Sequence, residues 1–157
     1  MLTIRRAVAA DSLAIYEVHI SAITKVCAAD YTTEEIAAWT AGKTPDKYVP
    51  AILANDFFVA SQSEVVVGFS EFNPQSQELV AVYVHPDFVR RGIGAALLGA
   101  AEAAARARRV SRVHLHASLN AVAFYEASGY AVERYGALQL HSGTALRCAV
   151  MHKTFED

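Results

Sequence analysis

The chain has 157 residues, 54% hydrophobic and 19% charged, a globular composition with enough apolar mass for a real core, which excludes a disordered chain. Its net charge of −2 and pI of about 6.3 exclude a general attraction to nucleic acid or to an anionic membrane. No apolar run approaches the roughly 20 residues that a membrane span needs, and the N-terminus lacks a basic segment followed by an apolar stretch and a cleavage site. The expectation is one soluble cytoplasmic domain over residues 1–157, monomer or homodimer, with its two cysteines, Cys27 and Cys148, as free thiols.

In chain order, LTIRR (2–6) alternates as a short strand. Asp11 or Ser12 can cap a helix running to about Ala28, and Thr32 or Thr33 a second one over EEIAAW, stopped by Gly42. Pro45 suits the first turn of a third short helix ending near Ala54. The period then changes. FFVAS (57–61), EVVVGFSEF (64–72) and ELVAVYVH (78–85) read as three strands separated by polar turns. Gly92 to Arg108 is a long helix, RVHLHA (112–117) a strand, and Asn120 to Ser128 a short helix. YAVERYGALQL and TALRCAVMHKTF close the chain as a strand pair.

This order predicts a mixed α/β (α+β) fold with a mostly antiparallel sheet flanked by helices. The helical crossover makes strands 78–85 and 112–117 a central parallel pair.

The segment YVHPDFVRRGIGAALL (83–98) carries the first chemical signal: a strand, a turn, two arginines, Gly-Ile-Gly and a helix start. A helix N-terminus offers unpaired N–H groups and positive dipole, and glycines let a ligand approach the backbone. A phosphate-sized anion fits such a loop; so does a tight turn with no ligand. The Gly-Lys-Ser/Thr of a P-loop does not follow Gly94. A Rossmann fingerprint fails at Leu97, where a small residue is needed, and no acidic residue ends the next strand.

VHPDFVRRGIGAALL and, downstream, ASLNAVAFYEASGY (117–130) together resemble the two motifs of the Gcn5-related N-acetyltransferase (GNAT) family. DYTTEEIAAW (30–39) is further similar to a bacterial subgroup of that family with poorly defined substrates. The resemblance covers nearly the whole chain. It implies an acetyl-CoA-dependent N-acetyltransferase that moves an acetyl group directly to an amine, either on a small molecule or on an exposed amino group. Coenzyme A pyrophosphate would then lie on the main chain of Arg90, Arg91, Gly92, Ile93, Gly94 and Ala95. The pantetheine arm would run along Val82, Tyr83 and Val84 like an added strand, so the parallel pair must splay apart.

Two positions depart from the family pattern. Val89 stands where a Gln or Arg is usual, which removes one polar contact. Ser118 stands where an Asn is usual, reading equally as a helix N-cap, and Asn120 lies close enough in sequence to reach the cofactor instead.

Acetyl transfer needs a base for the amine, a donor for the developing oxyanion and an acid for the leaving thiolate. The resemblance makes Tyr125 the acid, although the same spacing fits a core tyrosine. The Val84 N–H is an oxyanion donor candidate. Three base candidates stand: Glu78, 14 positions before Gly92, the offset at which the resemblance implies a glutamate base; His116, on one strand face with His114; and His85, before Pro86. Glu71 could hold a cationic substrate. The His-x-His pair has no third ligand at suggestive spacing, so no metal is expected. Cys27 reads as packing, and the arginines at 106–112 as cations at a helix C-terminus. Tyr31 and Trp39 could line an acceptor site near Phe72 and Leu138, or simply pack. The rival reading is a non-catalytic acyl-CoA-binding or regulatory module on the same fold.

Overall fold

The computed structural model describes residues 1–156. Seven strands form one sheet in the order β1-β2-β3-β4-β5-β7-β6. They are β1 Leu2–Arg6, β2 Asp56–Gln62, β3 Val65–Asn73, β4 Glu78–Val84, β5 Arg112–Ala117, β6 Ala131–Gln139 and β7 Ala145–Thr154. Every neighbouring pair is antiparallel except β4 with β5. The five α-helices are α1 Ser12–Lys25, α2 Thr33–Thr40, α3 Val49–Ala54, α4 Ile93–Ala107 and α5 Val122–Ala127.

The caps explain several boundaries. Thr32 caps α2: its hydroxyl accepts from the Glu35 N–H, while Glu35 accepts from the Thr32 N–H at 2.8 Å, a reciprocal capping box. The helix from Ser12 ends at Lys25, short of Ala28, because Cys27–Asp30 tightens into a 3-10 turn. Pro45 opens a 3-10 turn through Tyr48 before α3 begins at Val49.

The sheet separates two apolar layers. On one face Ile15 and Val18 of α1 and Ile52 of α3 pack on Phe57, Val59 and Phe69, with Ala81 and Tyr83 beside them. On the other, Ile93 and Leu97 of α4 pack on Phe58, Ala60 and Val67. The same helix continues through Leu98, Ala101 and Ala105 onto Leu79, Val113, Leu115 and Met151.

Strand β4 carries a bulge. Glu71 pairs with Ala81 and Phe72 with Leu79, so Val80 is an extra, exposed residue. Leu79 therefore belongs to the α4 layer while Ala81 and Tyr83 belong to the α1 layer. Strict alternation along ELVAVYV would have put all three on one face.

The splay expected of the parallel strands is present. β4 and β5 share one ladder pairing, Glu78 with His114, and the Gln77 carbonyl accepts from the His114 N–H at 3.4 Å. Beyond that point the strands diverge. The sheet continues from β5 through β7, which pairs along the full length of β5.

Candidate active site

The divergence of β4 and β5 opens a cleft of about 370 Å³. Val82, Tyr83 and Val84 form one wall, and Ser118, Asn120, Ala121 and Phe124 the facing one. Main-chain polarity along β4 follows from the antiparallel register. The His85 N–H donates to the Val67 carbonyl at 2.8 Å, and Tyr83 stands opposite Phe69. By alternation, Ala81 and Tyr83 direct their main-chain groups to β3, while Val82 and Val84 direct theirs into the cleft.

The loop from β4 to α4 adjoins this cleft through a second hollow, lined by Gly92, Ile93, Gly94 and Ala95 and sharing Val84, Val89, Arg90 and Phe124 with the first. Gly92 occupies the N-cap of α4 in a left-handed conformation, φ 78°, which only glycine takes at little cost. Arg90 is also left-handed, φ 64°. An added Cβ on Gly92 would meet nothing within 4 Å, so space for a ligand exists there. At Gly94 the same atom would come within 3.3 Å of the Phe124 ring. Gly94 thus lets Phe124 close on the helix start. The two arginines differ: Arg90 lines the cleft, whereas the Arg91 guanidinium lies over the Phe88 ring at 5.2 Å. Val89 is exposed and presents an apolar side chain to both hollows.

Deeper in, polar groups gather without full satisfaction. The Asn120 Oδ1 is buried with no hydrogen-bond partner. Cys27, which sequence reasoning assigned to packing, lines the cleft with Ala22 and Val26 of the α1 end. Burial pushes its thiol up to about 11, against the opposing influence of the neighbouring Ser118 and Asn120 side chains. Ser118 occupies the N-cap position before the 3-10 turn Leu119–Ala121, yet its hydroxyl makes no cap hydrogen bond. No sequence motif marks Cys27; its place follows from the 3-10 turn that begins just past the end of α1.

Tyr125 is buried, edge-on to Phe124 and Tyr130 at centroid distances of 5.1 and 5.6 Å. Burial alone raises its phenol well above the ordinary value. The Tyr83 hydroxyl is likewise raised by burial, with Cys27 and Tyr125 among the groups close enough to add to the effect.

The base candidates separate. Glu78 Oε2 and His116 Nδ1 lie 3.4 Å apart where β4 and β5 part. Glu71 stands near them, raised by burial despite the hydrogen bond it accepts from Asn55 Nδ2 at 2.7 Å. His85 instead accepts from the Asp87 N–H at 3.1 Å and lines a different hollow with Glu17 and Phe88. Tyr31 and Trp39 pack together at 5.3 Å. The Tyr31 hydroxyl donates to the Arg147 carbonyl and accepts from the Leu119 N–H, holding the Ser118–Asn120 segment against β7. Arg108 pairs with buried Asp56, and Arg106 lies over Phe155. Among the described residues no group of three His, Cys, Asp or Glu side chains could hold a metal ion.

Residues 27–145 match the family model described as "Acetyltransferase (GNAT) domain". The chain belongs to the GNAT acetyltransferase family. A comparison with curated proteins found no match. Among solved structures, a GCN5-related N-acetyltransferase from Rhodopseudomonas palustris, described as aminotransferase, class-II, superposes with a TM-score of 0.91 at 27% identity, covering 98% of this chain and 95% of its own. PaiA N-acetyltransferase from Thermoplasma acidophilum, in complex with coenzyme A, has a TM-score of 0.82 at 22% identity and 99% coverage of both chains. YncA from Salmonella typhimurium, with its cofactor acetyl-CoA, has a TM-score of 0.75 at 22% identity, covering 100% of this chain and 95% of its own. The GNAT fold, with its one parallel pair, is thereby established. No helix among the described residues is long and apolar enough to cross a membrane.

Proposed function

We propose that the chain, acting as one domain over residues 1–157, transfers an acetyl group directly from acetyl-CoA to an amine. The observation that carries this reading is the splayed cleft, whose β4 wall offers unpaired main-chain groups of Val82 and Val84 and leads to the glycine loop at α4. These residues suit coenzyme A. The main-chain amides of Arg90 to Ala95 and the positive end of α4 would hold the pyrophosphate, with Arg90 adding charge. The β4 edge would pair with the amide-bearing pantetheine arm, and the orphaned Asn120 Oδ1 would accept from it. The complexes of PaiA and YncA support the same assignment. Val89 gives this chain one polar loop contact fewer than is usual in the family.

When bound, acetyl-CoA supplies the acetyl group as a thioester. The Val84 N–H, aimed into the cleft, is placed to donate to the carbonyl oxygen as negative charge builds there. Glu78, with His116 beside it, takes the proton of the amine, directly or through a water. Tyr125 stays protonated at neutral pH because burial disfavours its anion, so it keeps a proton for the departing sulfur. Cys27 is a poor covalent carrier, since burial keeps its thiol protonated. A non-catalytic binding module would require neither the buried phenol nor the carboxylate–imidazole pair.

Calorimetric titration with acetyl-CoA, followed by thiol-release assays over a panel of amines, tests the reading. Micromolar binding together with amine-dependent thiol release is expected. Absence of binding at millimolar acetyl-CoA would overturn it.

A further inference from the structure

A second cavity, of about 530 Å³, lies outside the acetyl-CoA cleft and shares no lining residue with it. Its walls are Ala41, Gly42, Lys43, Lys47 and Tyr48, from the connection between α2 and α3, and His141 from the β6–β7 turn. The Tyr48, His19 and Tyr83 rings pack in series between the two spaces, with centroid distances of 5.9 and 4.4 Å. A molecule in this cavity therefore binds apart from the acetyl group.

The polar lining is one-sided, with nitrogen donors and no acidic side chain. Lys43 is half-buried, and neither it nor Lys47 forms a salt bridge among the described residues. The Lys47 ammonium donates to the Gly42 carbonyl at 2.6 Å, which fixes it in place without neutralising it. Asp46, the nearest acid in sequence, is exposed and accepts from the Thr44 hydroxyl. Burial and the neighbouring Lys47 hold the Lys43 ammonium below its usual range. A half-buried cation with no counter-ion is costly, and an anion entering the cavity would relieve that cost.

His19 adds a second, independent pointer. Burial, helped by the Lys43 charge, lowers its imidazole to about 3, so the ring is neutral and carries one proton. Its Nε2 is buried with no partner, while its Nδ1 lies 2.8 Å from the Tyr48 hydroxyl. A buried N–H without an acceptor is the costlier orphan, which places the proton on Nδ1, donating to the Tyr48 oxygen. The Tyr48 O–H is then left to donate elsewhere, and Tyr48 lines the cavity. Burial pushes that phenol up to about 12, so it keeps its proton. The run Gly42-Lys43-Thr44 follows α2 and not a strand, so it lacks the setting of a nucleotide-binding P-loop.

We infer that this cavity is a second ligand site, separate from the acetyl-transfer cleft, which binds a small polyvalent oxyanion through Lys43, Lys47, Tyr48 and His141. The inference goes beyond the acetyltransferase reading and does not rest on it, since none of these four residues lines the cleft. Phosphate and carboxylate groups share the chemistry that such donors recognise, and the test separates them.

Inorganic phosphate and malonate are titrated separately into isotope-labelled protein at constant ionic strength, with sodium chloride as the control, and the main-chain amide signals are followed. Saturating shifts at Gly42 to Tyr48 and at His141 are expected with at least one of the two anions and not with chloride. The anion that saturates at the lower concentration names the chemistry. Lys43→Gln and Lys47→Gln should each weaken that binding about tenfold, the scale of one charge-assisted hydrogen bond, while the other amide signals keep their wild-type positions. The wild-type map decides by itself should either variant fail to fold. Absence of saturating shifts at these residues with both anions, the same shifts with chloride, or unchanged affinity in both lysine variants would each overturn the inference.

Discussion

Glu78 and His116 meet, Oε2 to Nδ1 at 3.4 Å, at the last point where β4 and β5 still pair. The contact joins a carboxylate and an imidazole from strands 38 positions apart in the sequence. Replacing either group should therefore disturb the same proton transfer. Glu78→Gln should lower kcat/KM by roughly 10²-fold or more, in the range expected for a positioned base. Comparing its pH–rate profile with that of His116→Ala shows which group forms the acidic limb. Wild-type profiles in both variants would remove the pair from the mechanism.

Tyr125→Phe separates chemistry from packing. Burial is the one cause of the phenol's raised value, so losing the hydroxyl breaks no hydrogen bond that acts on it. The variant should melt close to wild type and bind acetyl-CoA as well. Its kcat should fall by about 10²-fold, in line with loss of a general acid. Full turnover would return Tyr125 to a purely structural role.

Gly92→Ala isolates backbone strain. The added Cβ meets nothing within 4 Å, so its direct cost is the left-handed conformation alone, roughly 1–2 kcal/mol. Denaturant unfolding should show a destabilisation of that size. Acetyl-CoA affinity should fall further than stability, because the methyl group occupies space assigned to the pyrophosphate. Unchanged affinity would place the phosphates elsewhere.

Cys27 should alkylate slowly near neutral pH. Its thiol is pushed up to about 11, so the iodoacetamide rate should still be climbing well above pH 9. Because the sulfur lines the cleft, saturating coenzyme A should protect it. Fast alkylation near pH 7, or no protection, would contradict its environment or its location.

Glu35 links acid stability to the fold of α2. The Arg147 guanidinium donates to it at 2.8 and 2.9 Å, and with the Thr32 N–H holds its carboxyl down at about 2. An unfolded glutamate titrates near 4.3. The stabilisation is therefore complete above that value and disappears as pH falls through about 2. The difference in urea midpoint between wild type and Glu35→Gln should be large near pH 6 and shrink steadily below about pH 4. A difference independent of pH would mean that the carboxylate charge is not its source.

Much of this was legible in the sequence because local rules agreed with the global fold. The Thr32 cap, the Gly92 helix start, the seven strands and the crossover all follow from spacing and turn chemistry. The cleft residues Val82 to Val84 and the loop Arg90 to Ala95 were reached through two motifs. The bulge at Val80 was not legible, since the strand runs through it without a glycine or proline to mark it. Nor was the cleft position of Cys27, or the junction at His19 and Tyr48, where α1 meets the turn before α3 over 29 positions. Such contacts depend on how helices settle on the sheet, and no local pattern encodes that.

The extra residue in β4 shapes the strand's course and leaves its later faces alone. Val80 contributes no side chain to either core layer, and Leu79 and Ala81 pair with Phe72 and Glu71 as direct neighbours would. A chain lacking Val80 would resume strict alternation with every residue from Ala81 onward on the face it now holds. What the deletion would remove is the local bend that a bulge gives its strand. Substitution at Val80 should therefore be tolerated freely, and a one-codon deletion there should keep Val82 and Val84 towards the cleft while altering how sharply β4 leaves β5.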